Sequence, residues 1–323
     1  MATIIGNLDP ADDGLHPLGP ESNFNESMYF NFFDRARNTG GFVRMGNRAN
    51  EGYAEMTVCL YLADGRVLFQ YKRPQITSND VFDAGGLRFE VTEPTERVRT
   101  TYQGSLVALT DPLAMMDPSS AFRENPHVRI ALDLTHEAVG PLYGHKSDGP
   151  VVDPEKEFAR AHYEQHMRVR GTLTIDGEVL PIDGLGLRDH SWGPRYWQAI
   201  HSYRWLTCNF GPDFGLMVSV IWGAPDAPPR QSGVVVRGDT LTNIRAAEID
   251  TEFIENMPFH RSLRARLTLE SGEELVLEGT VKGFIPLRNR RDGHVTHIGE
   301  GMTEYRVGEF AGYGLAEYLD QIE

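Results

Sequence analysis

RVRGTLTIDGEVLPIDG at 168–184 and LRARLTLESGEELVLEG at 263–279 each read as two alternating runs about a polar turn. In the first, Val169, Leu173 and Ile175 fall on one face and Arg168, Arg170, Thr172 and Thr174 on the other, with the turn at Asp176-Gly177. In the second, Ala265, Leu267 and Leu269 alternate with Arg264, Arg266 and Thr268 before Ser271-Gly272. A period of two marks a half-buried strand, and Gly, Asp and Asn accept the backbone geometry of tight hairpin turns. EMTVCLYLADGRVLFQYKR at 55–73 repeats the pattern about Ala63-Asp64-Gly65, so hairpins dominate the chain.

The first two stretches align with one extra residue in the second turn, where hairpins absorb length changes. This weak internal repeat predicts an all-β protein of two antiparallel lobes, either barrels or strongly curved sheets packed together, with few short helices. The expected divisions are an N-terminal arm laid over the surface at 1–26, a first lobe at 27–160 and a second at 161–323. Helical signals are confined to the stretch from Asp153, where Pro154 follows a capping Asp, and to GLAEYLDQIE at the C-terminal end. Segments 110–127 and 223–232, rich in Pro, Asp and Ser, read as loops.

A chain of 323 residues with 40% hydrophobic and 24% charged residues can bury a substantial core. Its net charge of −15 opposes a phosphate backbone, which disfavours nucleic acid as a partner. No basic leader precedes an apolar run and no run reaches the ~20 residues of a membrane span, so a cytoplasmic protein is expected. Cys59 and Cys208 both lie in apolar strand-like runs, where cysteine behaves as a small hydrophobe. Neither a phosphate-binding glycine loop nor a Gly-x-Ser-x-Gly elbow occurs.

The densest group of chemically capable side chains is GLGLRDHSWGPRYW at 184–197. In an extended chain Leu185, Leu187 and Asp189 share one face, and Gly184, Gly186, Arg188 and His190 the other. An Asp that continues an apolar face is buried; it then either finds a cation and hydrogen bonds or keeps its proton with a raised pKa, as a general acid requires. The structural alternative is an Asp neutralised by Arg188 and Arg195 beside the Gly193-Pro194 turn.

RDHSWG resembles the Asp-His-Asn-Trp-Gly signature of the carotenoid 1,2-hydratase (CrtC)/AttH-like family, and GTLTIDGEVLPIDGLG is similar to that family's approach to it, with Ser191 in place of Asn. The resemblance covers about 165–197. It implies a double calycin, or lipocalin-like, fold and acid-catalysed protonation of an isoprenoid double bond followed by addition of water, with no metal or organic cofactor. Carried over by position, it implies Asp189 as proton donor, His190 as orienting or relaying partner with Arg188 beside them, and Trp192 as an aromatic wall.

Further residues expected to line a substrate pocket are Tyr163, Tyr196, Trp197, Tyr203, Trp205, Glu304 and Tyr305, with Glu304 and Glu317 as carboxylates able to pair with Arg188 or share a proton with Asp189. His162 and His166 are four apart, but no further ligand is indicated nearby, so no metal site is expected. Two functions follow. One is a cofactor-independent lyase or isomerase of hydratase type acting on an apolar, unsaturated, isoprenoid-like or aromatic small molecule. The other is a non-catalytic carrier of a lipophilic ligand. A homodimer is compatible with either.

Overall fold

The computed structural model describes residues 2–147, 149, 151, 153, 157–158, 160–291 and 293–322, without the side chain of Arg291. The chain divides into two compact units, Met1–Leu109 with Phe122–Tyr196, and Thr110–Ala121 with Trp197–Glu323. Both are built almost wholly of antiparallel strands, as the alternating runs predict.

The first unit begins with β1 (Ile4–Ile5), β2 (Phe24–Asp34), β3 (Thr39–Arg48), β4 (Tyr53–Tyr61) and β5 (Val67–Lys72). It continues through β6 (Phe82–Ala84), β7 (Leu87–Glu93), β8 (Arg97–Leu109), β9 (His127–Ala138) and β10 (Leu142–Lys146), and ends with β11 (Ala161–Ile175) and β12 (Glu178–Pro194). Pairing runs from β2 through β3, β4, β5, β8, β9, β11 and β12 and back to β2, so the sheet returns on itself. That circuit satisfies both edges of these strands over most of their length. β7 and β6 extend it from β8, and β10 and β1 from β11.

Two local features hold β12 in register. Asp176 (φ 48°) and Gly177 (φ 97°) make the turn between Ile175 and Glu178, with both residues in the left-handed region that this hairpin demands. The Asp176 carboxylate also accepts the Arg129 N–H at 2.8 Å. On the other side of the strand, a Cβ at Gly186 would overlap the Asn31 carbonyl oxygen, so only glycine lets β12 approach β2 there. Next to it, the Leu187 N–H donates to Asn31 Oδ1 at 3.0 Å.

Inside the ring, Met28, Phe30 and Phe32 of β2 pack with Val43 and Met45 of β3, Val169 and Leu173 of β11 and Ile182 of β12. Each is almost fully buried, and burial of one such side chain contributes about 1.5–3 kcal/mol. The second unit holds β13 (Ser202–Gly211), β14 (Phe214–Trp222), β15 (Arg230–Arg237), β16 (Thr240–Phe253), β17 (His260–Leu269), β18 (Glu274–Arg291), β19 (His294–Val307) and β20 (Phe310–Ile322). They close as an eight-stranded up-and-down barrel around Leu206, Cys208, Leu216, Val218, Leu267 and Tyr305.

Several expectations need correction. Positions 154–156 and 159 of the expected helix lie outside the described residues, but from Ala161 onward the chain is β11, hydrogen-bonded to β12 on one side and to β10 and β9 on the other. GLAEYLDQIE is strand as well, held in β20 between β13 and β19. Pairing on both edges overrides the local helical signal in each case. Segment 110–127 is not plain loop: it holds a 3-10 turn at Pro112–Met116 and the short helix α1 (Pro118–Glu124).

The arm is not merely surface either. Its 3-10 turn at Pro10–Asp13 buries Asp12 and Asp13, and β2 already begins at Phe24. A division at 160 would cut the first ring, because β11 and β12 complete it. RDHSWG therefore sits in the first unit. Cys59 and Cys208 are buried free thiols, and no described helix is long and apolar enough to cross a membrane.

Candidate functional site

Strand alternation sorts the chemical residues of β11, β12 and β2 onto two faces. Facing into the first ring are Tyr163 and Gln165, Arg188, His190 and Trp192, and Glu26. The outer face carries His162 and Glu164, Asp189 and Ser191, and Ser27 and Tyr29. Register partners across the strands are Glu164, Asp189 and Tyr29 in one row and His162, Ser191 and Ser27 in the next.

The inner group is a closed ionic network. Arg188 donates through Nη1 and Nη2 to Asp13 at 2.7 and 3.2 Å, and through Nε and Nη2 to Gln165 Oε1 at 3.0 and 2.7 Å. The Tyr163 hydroxyl and the Thr95 N–H also donate to Asp13. His190 meets Tyr163 Oη through Nδ1 at 3.2 Å and Glu26 Oε1 through Nε2 at 3.0 Å. His190 thus bridges Tyr163 and Glu26 through its two ring nitrogens. Glu26 further accepts the His16 N–H and Nδ1 and the Asn79 amide, and His16 stacks on Trp192 at 3.9 Å.

Burial alone would raise these carboxyls, but the partners win. Hydrogen bonds from His16 and His190, with their charge, hold Glu26 down to about 2, and the Arg188 charge and hydrogen bonds hold Asp13 below its ordinary range. Arg188, His190 and Glu26 are fully buried and Asp13 nearly so. Such a network fixes the arm to the ring and has no open valence for a reacting molecule.

The outer group differs. Asp189 retains 20% and His162 25% of side-chain exposure, and His162 Nε2 lies 3.5 Å from Asp189 Oδ2 and 3.4 Å from Glu164 Oε1. Burial, helped by the Glu164 charge, raises the Asp189 pKa against the opposing pull of His162 and Arg195. Burial would lower His162, but its hydrogen bond to Glu164 and the Asp189 charge turn the shift upward. Two groups that both hold protons more tightly than usual, within contact of each other, form an acid–base pair that can deliver and recover a proton.

Among the described residues, two sets of side chains offer three ligand atoms within 4.8 Å of one another, as a metal ion would need: His162, Glu164 and Asp189, and His16, Glu26 and His190. In the second, N–H donors already occupy the carboxylate, so a cation does not fit. The first has the donor types of a divalent site.

Of the residues expected from sequence, Arg188, His190, Trp192 and Tyr163 are gathered on the inner face, and Asp189 stands on the outer face. The imidazole beside Asp189 is His162, not His190. Tyr196 ends the first unit, its N–H donating to the Glu157 carbonyl at 2.9 Å. Trp197, Tyr203, Trp205, Glu304 and Tyr305 belong to the second unit. There Tyr305 packs inside the barrel, its hydroxyl on the Leu315 carbonyl at 3.1 Å. Tyr203 and Trp205 alternate with the inward Leu206 and Cys208 and so face out of it.

Within each unit Arg188 and Glu304, expected to pair, have partners of their own. Asp13 takes the guanidinium, and Glu304 binds Lys282 at 2.8 Å and Arg306 at 3.4 Å. Asp13, His16, Glu26 and Glu164 escaped the sequence reading, because no local motif links the arm to β12.

A family model described as a domain of unknown function, DUF7064, matches residues 9–322. No curated protein matches. Among solved structures, the chain is similar to an AttH protein from Nitrosomonas europaea, with TM-score 0.62, 16% identity and 99% and 98% of the two chains covered. It is also similar to CghA (TM-score 0.54, 12% identity, 96% and 94% covered) and to kievitone hydratase from Nectria haematococca (0.56, 11%, 91% and 87%). At these identities the likeness is one of fold, and it extends the AttH part of the expected resemblance from about 165–197 to nearly the whole chain.

Proposed function

The chain belongs to the DUF7064 family, and we propose that it is an acid–base lyase or isomerase of hydratase type, with Asp189 as the proton donor, acting on an unsaturated small molecule with an apolar body. The observation that carries this reading is the Asp189–His162 pair: a carboxyl with a raised pKa, open to solvent on one side and 3.5 Å from an imidazole that also gains protons readily. Asp189 protonates a carbon–carbon double bond, water adds to the resulting cation, and the proton released from that water returns through the Asp189–His162 pair. The reaction is neutral overall, and the protonation itself requires no organic cofactor. Dehydration is the same path reversed, and loss of a different proton gives isomerisation.

The likeness of RDHSWG to the carotenoid 1,2-hydratase signature supports Asp189 in this role, and the name of one fold neighbour, a hydratase, agrees with the reaction class. In this reading Arg188, His190, Trp192 and Tyr163 are positioning residues that hold the inner face of β12 rigid.

The test is to extract purified protein and identify co-purified small molecules by mass spectrometry, then incubate these and related unsaturated compounds with wild type and Asp189→Asn. Conversion by wild type alone supports the assignment. Conversion by both proteins removes Asp189 from the chemistry. A retained ligand that wild type never alters makes the protein a carrier.

A further inference from the structure

The first unit holds a cavity of about 220 Å³ between residues 13–15 of the arm and strands β6 and β7. Its floor is apolar. Leu15, Met28, Phe82 and Phe89 line it, the last three buried, and the two phenylalanine rings stand edge to face with centroids 6.0 Å apart. Val81 lines the mouth and is 60% exposed, more than any other large hydrophobic residue described. Its backbone is fixed: Asn47 Nδ2 donates to the Val81 carbonyl at 3.0 Å and to Asn79 Oδ1 at 3.1 Å, and Asn79 Nδ2 donates to the His16 carbonyl at 2.9 Å. Segment 79–81 is thereby tied to β3 and to the arm, so the cavity is pre-formed and keeps an apolar side chain at its entrance.

The rim is acidic. Asp80, Asp83 and Glu90 line it with one cation, Arg88, which lies 3.5 Å from Asp83 and 3.7 Å from Glu90. Arg99, the register partner of Glu90, is taken by Asp133 through two hydrogen bonds at 2.9 and 2.7 Å, so it adds no free charge. Asp13, also in the lining, is matched by Arg188. Three rim carboxylates against one guanidinium leave the mouth negative over an apolar, aromatic floor. Such a site selects a molecule with an apolar body and a positive end, because carboxylates pair with ammonium and aromatic rings attract cations.

We propose that this cavity binds a primary ammonium ion on an apolar body, with the ammonium among Asp80, Asp83 and Glu90 and the body against Leu15, Phe82 and Val81. Met28, on the inner face of β2, sets the cavity on the other side of the sheet from Asp189. It is a second site, independent of the reaction assigned to Asp189.

The probe is 2-phenylethylammonium, with 2-phenylethanol as its neutral and phenylacetate as its anionic counterpart, titrated calorimetrically into the full-length protein at low salt. The ammonium should bind saturably, about tenfold more tightly than the alcohol and more tightly still than the acid, and high salt should narrow the difference. Asp80→Asn combined with Glu90→Gln should weaken the ammonium about fivefold, as expected of exposed charge pairs, and Val81→Ser should weaken it about twofold. Arg88→Gln should instead tighten it about twofold, a gain that a misfolded variant cannot give. Asp189→Asn should bind it as wild type does. Absence of saturable binding, equal binding of ammonium and alcohol, or binding indifferent both to the paired carboxylate substitutions and to Arg88→Gln overturns the proposal. Loss of binding in Asp189→Asn would place the amine on the outer face and overturn it equally.

Discussion

Asp189 and His190 are neighbours in the chain and lie on opposite faces of β12: Asp189 is 3.5 Å from His162 on the outer face, and His190 is 3.0 Å from Glu26 inside the ring. One motif therefore serves two purposes. The outer residue is partly open, and burial raises its pKa. The inner one is sealed in a network that ties Asp13, His16 and Glu26 of the first 26 residues to the sheet.

The first prediction concerns the outer pair. Asp189→Asn should lower turnover by about 10²–10⁴, the usual worth of a positioned acid, with ligand binding retained. As the proposed proton donor Asp189 is needed in its protonated form, so the rate should fall as pH rises through its raised pKa. Glu164 helps hold that pKa up and His162 pulls it down, so Glu164→Gln should move the falling limb to lower pH and a substitution of His162 by Asn should move it higher. A pH–rate profile of wild type and these two variants checks the signs; a limb that ignores both substitutions assigns the proton to another group.

The second concerns the inner ion pair. Arg188→Met leaves Asp13 buried without its cation and should cost about 3–5 kcal/mol of stability. Asp13→Asn should be similarly harmful alone, and the double variant should be less unstable than the sum of the two. Urea denaturation of the four proteins gives the coupling energy directly. Additive effects would mean that the arm is not held through this pair.

The third is acid sensitivity. Glu26 has a folded-state pKa of about 2 against an ordinary value of 4.5, so the unfolded chain takes up the proton first as pH falls. Its stabilisation is fully present above pH ~4.5 and is lost toward pH ~2, amounting to ~3 kcal/mol. Glu26→Gln should be less stable than wild type at pH 6, with the gap closing below pH 4. Thermal melting across that range measures it, and a gap independent of pH would place the effect elsewhere.

The fold was legible because hairpins write themselves locally: period-two runs and Asp-Gly or Ser-Gly turns fix strands and connections within about 15 residues of sequence. Alternation even assigned Asp189 and His190 to separate faces. What the sequence could not supply is the partner across a ring. Asp13 reaches Arg188 over 175 positions and Glu26 reaches His190 over 164, distances at which no spacing rule operates. His162 was visible as a titratable group, but a helix signal at Asp153 hid the strand pairing that sets it beside Asp189.

The fourth prediction turns on His136, which lies inside the first ring, 4.3 Å from the Phe30 ring, with no hydrogen-bond partner on either nitrogen. Burial, with a smaller contribution from the Arg188 charge, lowers its pKa to about 3, so it is neutral in the folded protein while the unfolded chain protonates near 6.5. Between those values the unfolded state binds the extra proton, so stability is full above pH ~6.5 and declines by ~1.4 kcal/mol per pH unit below it. His136→Leu removes both that decline and two buried nitrogens without partners. It should therefore be more stable than wild type at pH 7 by about 1–3 kcal/mol, and the advantage should widen at pH 5. Urea midpoints at the two pH values decide the matter: a variant less stable than wild type at pH 7 would show that the imidazole is satisfied by bound water or ligand inside the ring.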